Sequence, residues 1–178
     1  VRVLGMDANV RTDTCVAVPG GRGRGGCAAH QRDGWGSACW EGRGGRVCLD
    51  PAGGGHSPVA GRVKRYPIRS LNVIAHIRKA TQGEVRLENT HPFQRELWGR
   101  YWIFAHNGNL NGFAPRLSGR FLPVGTTDSE LAFCHILDHL AQRFPQGTQD
   151  IRALHGALRE IALESGAQGG FYFLLSDG

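Results

Sequence analysis

The stretch Ala75-His76-Ile77-Arg78-Lys79-Ala80-Thr81-Gln82-Gly83 decides the fold of this chain. Together with the preceding Val73 and Ile74, its apolar first residues predict a strand over Val73–Ile77, which ends directly before Arg78. Further motif segments follow in order: Asn89-Thr90-His91-Pro92-Phe93, Phe104-Ala105-His106-Asn107-Gly108 and Thr126-Thr127-Asp128-Ser129-Glu130. Polar residues that follow strands lie in loops over a rigid sheet, where binding and catalytic residues are common. We therefore expect these segments to belong to one functional site.

In this order and at these intervals, the segments resemble the class II glutamine amidotransferases, which are N-terminal-nucleophile enzymes that release ammonia from a glutamine side chain. The opening Val1-Arg2-Val3-Leu4-Gly5-Met6 continues the resemblance. Small stand-alone members of the family begin with Cys-Arg-Leu-Leu-Gly-Met once the initiator methionine is removed. The resemblance covers nearly the whole chain and implies a glutamine amidotransferase or a γ-glutamyl amidohydrolase.

The catalytic positions that the resemblance implies are Val1, Asn107 and Gly108. The family cysteine provides a thiol and a free α-amine, and an amine with a pKa of about 7.7 to 8.0 suits a general base near neutrality. Val1 stands at the position of this cysteine and supplies only the amine. Asn107 would donate its side-chain amide, and Gly108 its main-chain N–H, to the developing oxyanion. Taken alone, Asn-Gly is simply a turn dipeptide, and its place among the other motifs favours the catalytic role.

The substrate-binding positions that the resemblance implies are Arg78, Thr81, Gly83 and Asp128. Arg78 matches the arginine that clamps the α-carboxylate of glutamine, a task suited to a planar fork of donors. Asp128 matches the carboxylate that binds the α-ammonium, although a carboxylate in a first helical turn also stabilises the helix. Thr81 and Gly83 match the loop that shapes the pocket wall.

The family's fold is α+β, a four-layer αββα sandwich of two stacked antiparallel sheets between helices. A chain of 178 residues with 40% hydrophobic content can bury one sizeable core, so we expect a single domain over residues 1–178. Relatives continue with further strands where this chain reaches Gly178. We therefore expect C-terminal strands of the domain to be missing from these residues.

Local patterns predict most elements of such a sandwich. Thr127-Asp128-Ser129-Glu130 is a capping box, and the helix that it begins has its apolar face at Phe133, Ile136, Leu137, Leu140, Ala141 and Phe144. A second helix carries Ile151, Leu154, Leu158, Ile161 and Ala162 on one side, and Phe171–Leu175 is expected to be a buried strand. The remaining predictions are strands at 1–8, 37–40, 46–49 and 101–105 and a short helix at 57–66.

Composition excludes several other classes of protein. The formal charge of +6 comes from arginines that are scattered without interleaved aromatics, so we expect a solvated basic surface and no nucleic-acid partner. No apolar run is long enough for a membrane span, and the first residues lack the layout of a secretory signal, so we expect a cytoplasmic protein. Five cysteines form an odd set without a CxxC pair, which favours reduced thiols.

Three motif histidines, His76, His91 and His106, raise the question of a metal site. No short ligand spacing such as HxxxH links them, so we expect structural hydrogen bonds, no metal and no cofactor. An internal cysteine could replace the missing nucleophile only if it lay beside the terminal amine, and none is terminal.

Two functional hypotheses and one trivial explanation remain open. The chain is an amidohydrolase acting on glutamine or a γ-glutamyl compound, or it is a catalytically inactive module that binds such a ligand and has lost its thiol. Alternatively, the start of the chain has been altered or mis-assigned. An ammonia-accepting partner protein and free hydrolysis are equally consistent with the sequence.

Overall fold

The computed structural model describes residues 2–13, 34–52, 57–66, 68–78 and 84–178, and Val1, Thr81 and Gly83 lie outside these ranges. Antiparallel strands and helices follow one another largely as the patterns predict, but the strand Phe93–Leu97 was not predicted. A short 3-10 helix, Leu87–Asn89, comes before that strand. The strands are β1 Arg2–Asp13, β2 Trp35–Glu41, β3 Gly44–Asp50, β4 Arg69–Ile77, β5 Phe93–Leu97, β6 Arg100–Asn107 and β7 Tyr172–Ser176; the helices are α1 Pro58–Arg65, α2 Asp128–Arg143 and α3 Ile151–Gly166.

The first sheet has the order β1-β4-β2-β3, so β4 is paired on both sides. At its end, Ile77 lies opposite Arg2 of β1 and opposite Trp35 of β2. The predicted strands at 37–40 and 46–49 are confirmed as an antiparallel hairpin, because β2 and β3 pair from Trp35↔Asp50 to Glu41↔Gly44. The strand that directly precedes Arg78 is therefore a central strand of its sheet.

The second sheet has the order β5-β6-β7, and β6 is its central strand. The predicted strand at 101–105 is confirmed, and the structure extends it to Asn107. The burial of Phe171–Leu175 was overestimated: β7 spans Tyr172–Ser176 and is only partly buried, with Tyr172 75% exposed. Within the described ranges β7 is an edge strand, so it lacks the neighbour on one side that shields β6.

The two sheets stack face to face, and helices cover their outer faces. Ala38, Trp40 and Ile74 of the first sheet pack against Ile103 and Ala105 of the second. On the far side of the second sheet lie α2 and α3, and α1 packs on the outer face of the first sheet through Val59, which contacts Trp35. The predicted four-layer αββα arrangement is therefore confirmed.

Helix α2 forms as its capping signal and apolar period predict. The Thr127 hydroxyl accepts a hydrogen bond from the main-chain N–H of Glu130 at 3.2 Å. Burial of each large apolar side chain stabilises the fold by about 1.5 to 3 kcal/mol. The predicted face is confirmed by its buried members Phe133, Ile136, Leu137, Leu140 and Ala141, with Phe144 packed against the same cluster.

Helix α3 is confirmed, and one residue of its predicted apolar face is wrong. Asp150 caps it by accepting from the N–H groups of Arg152 and Ala153. Leu154, Leu158 and Ile161 belong to or pack on the core, as do other buried residues, but Ile151 is 73% exposed. Ile151 is the first residue after the cap, and the α3 residues that pack on the core begin at Leu154.

No helix in the described part of the chain is long and apolar enough to cross a membrane.

Candidate active site

The ends of the two central strands lie next to each other. Arg78 directly follows β4, and Asn107 is the last residue of β6. Nε2 of the buried His76, two residues before Arg78, donates to the main-chain oxygen of His106 at 3.1 Å. This bond joins the two sheets at the edge where the predicted site residues occur.

Arg78 is held in a fixed position and is only 4% exposed. Its main-chain N–H donates to the oxygen of Gly34 at 2.8 Å, and its guanidinium donates to the oxygen of Glu84 at 3.1 Å. A guanidinium retains its charge at any physiological pH and offers five N–H donors, a geometry that suits an anionic ligand.

The beginning of the chain approaches the same edge. Arg2 pairs with Ile77 and Val3 pairs with His76, so the first described residue lies opposite the residue that precedes Arg78. Val1 itself is outside the described ranges, as are Thr81 and Gly83. Their places in the site stay predictions.

The Asn107–Gly108 turn requires glycine at its second position. Gly108 has a φ of +153°, and a Cβ added there would lie 1.8 Å from the main-chain oxygen of Gly170. No side chain fits so close an approach, and the positive φ is rare for other residues. Asn107 is half-buried, and its backbone pairs with Tyr172 of β7.

Asp128 lies at the start of α2 and reaches back to the segment after Gly108. One carboxylate oxygen accepts from the N–H of Leu110 at 2.8 Å, and the other accepts from the N–H of Ser129 at 2.9 Å. A carboxylate has about four acceptor positions, so these bonds leave room for a cationic ligand. Asp128 therefore combines helix stabilisation with a charge placed beside the Asn107–Gly108 turn.

The three motif histidines are buried under this edge. Burial lowers the pKa of His76 to about 3, and it also lowers the pKa of His91 and of His106, so all three are neutral near pH 7. The predicted structural hydrogen bonds are confirmed for His76 and His106. His91 instead stacks on His76, with ring centroids 4.1 Å apart, and contacts Phe93.

No group of three His, Cys, Asp or Glu side chains in the described part could hold a metal ion.

An open groove of about 320 Å³ lies beside Asp128. Its walls come from the segment 110–127 and from the first turn of α2. The lining mixes polar and apolar residues: Leu110, Gly112, Phe113, Pro123, Gly125, Thr126, Thr127, Asp128 and Leu131.

Sequence reasoning missed the contacts that fix the long segment between Gly108 and α2. Glu130 does not complete the capping box in the expected way, because its carboxylate accepts from the N–H of Gly125 at 2.7 Å and pairs with Arg95. About two turns further along α2, the carboxylate of the buried Asp138 accepts from the N–H of Ser118 at 2.6 Å. Acidic residues in an otherwise apolar helix were the available signal for these contacts.

The predicted residues that the structure describes therefore converge. Arg78, Asn107, Gly108 and Asp128 occupy one edge of the stacked sheets, where His76 and His106 join the strands. The His76–His106 bond links the Arg78 end of β4 to the Asn107 end of β6, and Asp128 bonds to Leu110 just after the turn.

Comparison with known proteins supplies the family. The family model for class-II glutamine amidotransferases matches residues 1–178. Escherichia coli YafJ, named provisionally as a glutamine amidotransferase, is 49% identical over 176 residues, which cover 99% of this chain and 69% of that protein. The chain belongs to the class II glutamine amidotransferases.

Solved structures agree with this assignment. The crystal structure of a predicted glutamine amidotransferase from Pseudomonas aeruginosa has a TM-score of 0.77 at 41% identity, covering 100% of this chain and 70% of that one. Glutamine phosphoribosylpyrophosphate amidotransferase from Bacillus subtilis has a TM-score of 0.61 at 18% identity, covering 98% and 35% of the two chains. The second similarity establishes the fold alone.

Proposed function

We propose that this domain binds glutamine or a γ-glutamyl amide and hydrolyses the side-chain amide when a cysteine is present at residue 1. The observation that carries the proposal is that the His76–His106 bond joins the ends of β4 and β6, while Asp128 bonds to the N–H of Leu110 just after the Asn107–Gly108 turn. Arg78, Asp128 and this turn match the three polar parts of the substrate: its α-carboxylate, its α-ammonium and its amide carbonyl.

Arg78 and Asp128 would hold the charged end of the amino acid. The buried guanidinium of Arg78 suits the α-carboxylate, because planar donors bind a carboxylate through two parallel hydrogen bonds. Asp128 suits the α-ammonium, because its carboxylate is fixed by main-chain N–H groups and keeps its negative charge available. Thr81 and Gly83 complete the pocket wall in this proposal.

Asn107 and Gly108 would stabilise the oxyanion. The side-chain amide of Asn107 and the main-chain N–H of Gly108 are donors of the kind that act on a tetrahedral intermediate. The close approach of Gly108 to Gly170 fixes the backbone of this turn before any substrate arrives. Such preorganised donors each contribute about 10²–10³ in rate.

Residue 1 would carry the covalent step. A cysteine thiol there loses its proton to the α-amine, and its sulfur forms a bond to the amide carbon. The C–N bond then breaks, and ammonia leaves with the proton from the amine. Water hydrolyses the thioester to glutamate and restores the thiol. The ammonia either diffuses away or passes to an accepting partner protein.

Valine at residue 1 favours a second function, which is binding without cleavage. A valine side chain offers no sulfur for the covalent step. A chain with this residue would bind a γ-glutamyl ligand and would report its presence to a partner.

The decisive experiment compares the full-length protein with its Val1→Cys variant. We expect Val1→Cys to release ammonia from glutamine and the Val1 protein to release none above background while still binding glutamine. Val1→Ala is the matched control, because it changes the same residue without adding a thiol. Absence of both ammonia release by Val1→Cys and glutamine binding by the Val1 protein would sink the proposed function.

A further inference from the structure

The ring of His106 contacts two segments of the chain that lie far apart in sequence. Its Nε2 lies 3.0 Å from the main-chain oxygen of Gly170, just before β7. Its Nδ1 lies 2.8 Å from the hydroxyl oxygen of Ser129, in the first turn of α2. Both ring nitrogens are therefore bonded in a side chain that is 2% exposed.

These partners fix the tautomer of the ring. A main-chain oxygen can only accept, so Nε2 of His106 carries the proton and donates to Gly170. Nδ1 is then an acceptor, and the Ser129 hydroxyl must donate to it. Burial lowers the pKa of His106, which keeps the ring in this neutral form.

Each partner of His106 holds one part of the proposed glutamine site. Gly170 is the residue whose oxygen meets the backbone of Gly108, and a Cβ on Gly108 would also lie 2.8 Å from Nε2 of His106. The oxyanion turn thus rests against the His106–Gly170 bond. Ser129 follows Asp128, and its N–H bonds to the Asp128 carboxylate.

The Ser129 hydroxyl has a second acceptor close by. Its oxygen lies 3.4 Å from Oδ1 of Asp128, compared with 2.8 Å from Nδ1 of His106. A hydroxyl has one proton to donate, so a bond to His106 leaves this Asp128 oxygen available to a ligand. If His106 stopped accepting, the hydroxyl would turn to Asp128 and compete with the substrate ammonium.

We infer that His106 and Ser129 are positioning residues that fix the Asp128 carboxylate relative to the Asn107–Gly108 turn and keep it free for the substrate amine. The inference rests on the proposed function and adds two residues to it. Neither residue touches the substrate. Their effect passes through Asp128 on one side and through Gly170 on the other.

The test measures glutamine kinetics in the full-length Val1→Cys protein with Ser129→Ala, His106→Gln or both. His106→Gln keeps an N–H donor that can reach Gly170 and has no acceptor at the position of Nδ1, because its amide oxygen is bonded to the same carbon as that N–H. Each single variant should raise KM about tenfold, the value of one hydrogen bond near a charge. The double variant should resemble the more affected single variant, because residues in one network are not additive.

Ser165→Ala is the matched control. Ser165 is also a buried helical serine, 1% exposed, and its hydroxyl has no partner within the described ranges. A general loss of folded protein would lower kcat and leave KM unchanged. A KM for Ser129→Ala equal to that for Ser165→Ala, or single effects that multiply in the double variant, would overturn the inference while the proposed function stands.

Two further results complete the test. If the parent Val1 protein does not bind glutamine by calorimetry and Val1→Cys is inactive, the proposed function fails and the inference fails with it. If Ser129→Ala does not fold, ¹⁵N NMR of the histidines in the parent decides. A proton on Nε2 of His106, with an Nδ1 signal that shifts on glutamine binding, supports the inference, and a proton on Nδ1 overturns it.

Discussion

The two central strands end on site residues, but they are held there in different ways. The end of β4 is fixed by main-chain pairing, with Ile77 opposite both Arg2 and Trp35 and with the N–H of Arg78 bonded to Gly34. The end of β6 pairs through its main chain on one side only, with Asn107 opposite Tyr172 of β7, and is otherwise fixed by side chains and by a close backbone approach. His106 bonds to Ser129 and Gly170, and Gly108 lies against Gly170.

This difference indicates which part of the site is more sensitive to substitution. Main-chain pairing tolerates many side chains, because any residue except proline supplies the same N–H and oxygen. The end of β6 depends on particular side chains, and removal of one partner leaves a buried polar group unsatisfied. We therefore expect substitutions around Asn107 and Gly108 to affect function more than comparable substitutions in β1 or β2.

The largest expected effect comes from Gly108→Ala in the Val1→Cys protein. The new methyl group would collide with the Gly170 oxygen, so the turn must move away from the position its donors require. We expect kcat to fall by about 10²–10³, which is the loss of one oxyanion donor. Steady-state ammonia release gives the measurement.

Gly42→Ala is the matched control for this prediction. Gly42, in the turn between β2 and β3, also has a positive φ, +60°, but a Cβ there would meet nothing within 4 Å. We expect it to lose stability from backbone strain, by about 1 kcal/mol, with kcat nearly unchanged. Equal losses of kcat in the two variants would show that the Gly170 contact does not set the turn.

A smaller effect is expected from Asp138→Ala, which removes the middle anchor of the segment between Gly108 and α2. The lost bonds to the N–H and the hydroxyl of Ser118 should lower the free energy of unfolding by about 1.5 to 3 kcal/mol. We expect the glutamine KM to stay within about twofold, because Asp128 holds Leu110 and Glu130 holds Gly125 without help from Asp138. Urea unfolding and kinetics on the same samples provide the comparison. A KM that rises tenfold would mean that the middle anchor also sets the site.

The smallest expected effect is on the pH dependence of stability, when His91 of the His76–His91 stack is replaced. Burial lowers the pKa of His91, so below about pH 6.5 the unfolded chain takes up a proton that the folded chain excludes. Each such histidine lowers the free energy of unfolding by about 1.4 kcal/mol per pH unit as the pH falls below this value. His91→Phe should keep the ring stacking and remove the part of this pH dependence that comes from His91.

Urea unfolding at about pH 7 and at about pH 5.5 measures this slope, and His91→Phe should lose about 1 kcal/mol less than the parent between them. The exposed His155, replaced in the same way, is the matched control. An unchanged slope in His91→Phe would show that His91 does not contribute to acid sensitivity.

The sequence predicted elements whose signals are local. Helix α2 has a capping residue and a continuous apolar period, and β6 is a run of large apolar residues that ends at Asn107. The exposure of Ile151 was not predictable in this way, because a helical period does not say where the neighbouring core ends. Strand β5 was missed, because Phe93–Leu97 is short and carries charged residues.

The same limit applies to the candidate site, where residues in sequence motifs were predicted and residues that act through long-range contacts were not. The resemblance selected Arg78, Asn107, Gly108 and Asp128, and the structure places them at one edge of the sheets. The resemblance could not select Ser129 or Gly170, because their importance comes from bonds to His106 across 23 and 64 residues of sequence. Such pairs become visible only when the strands and α2 are assembled.

The most direct measurement is a crystal structure of the full-length Val1 protein with glutamine, since the absence of a thiol at residue 1 should leave the ligand intact. We predict that the α-carboxylate contacts Arg78, the α-ammonium contacts Asp128, and the amide oxygen lies within hydrogen-bond distance of Asn107 and the Gly108 N–H. Glutamine bound away from Arg78 and Asp128, or no bound glutamine at saturating concentration, would contradict the claim that these strand ends form one glutamine site.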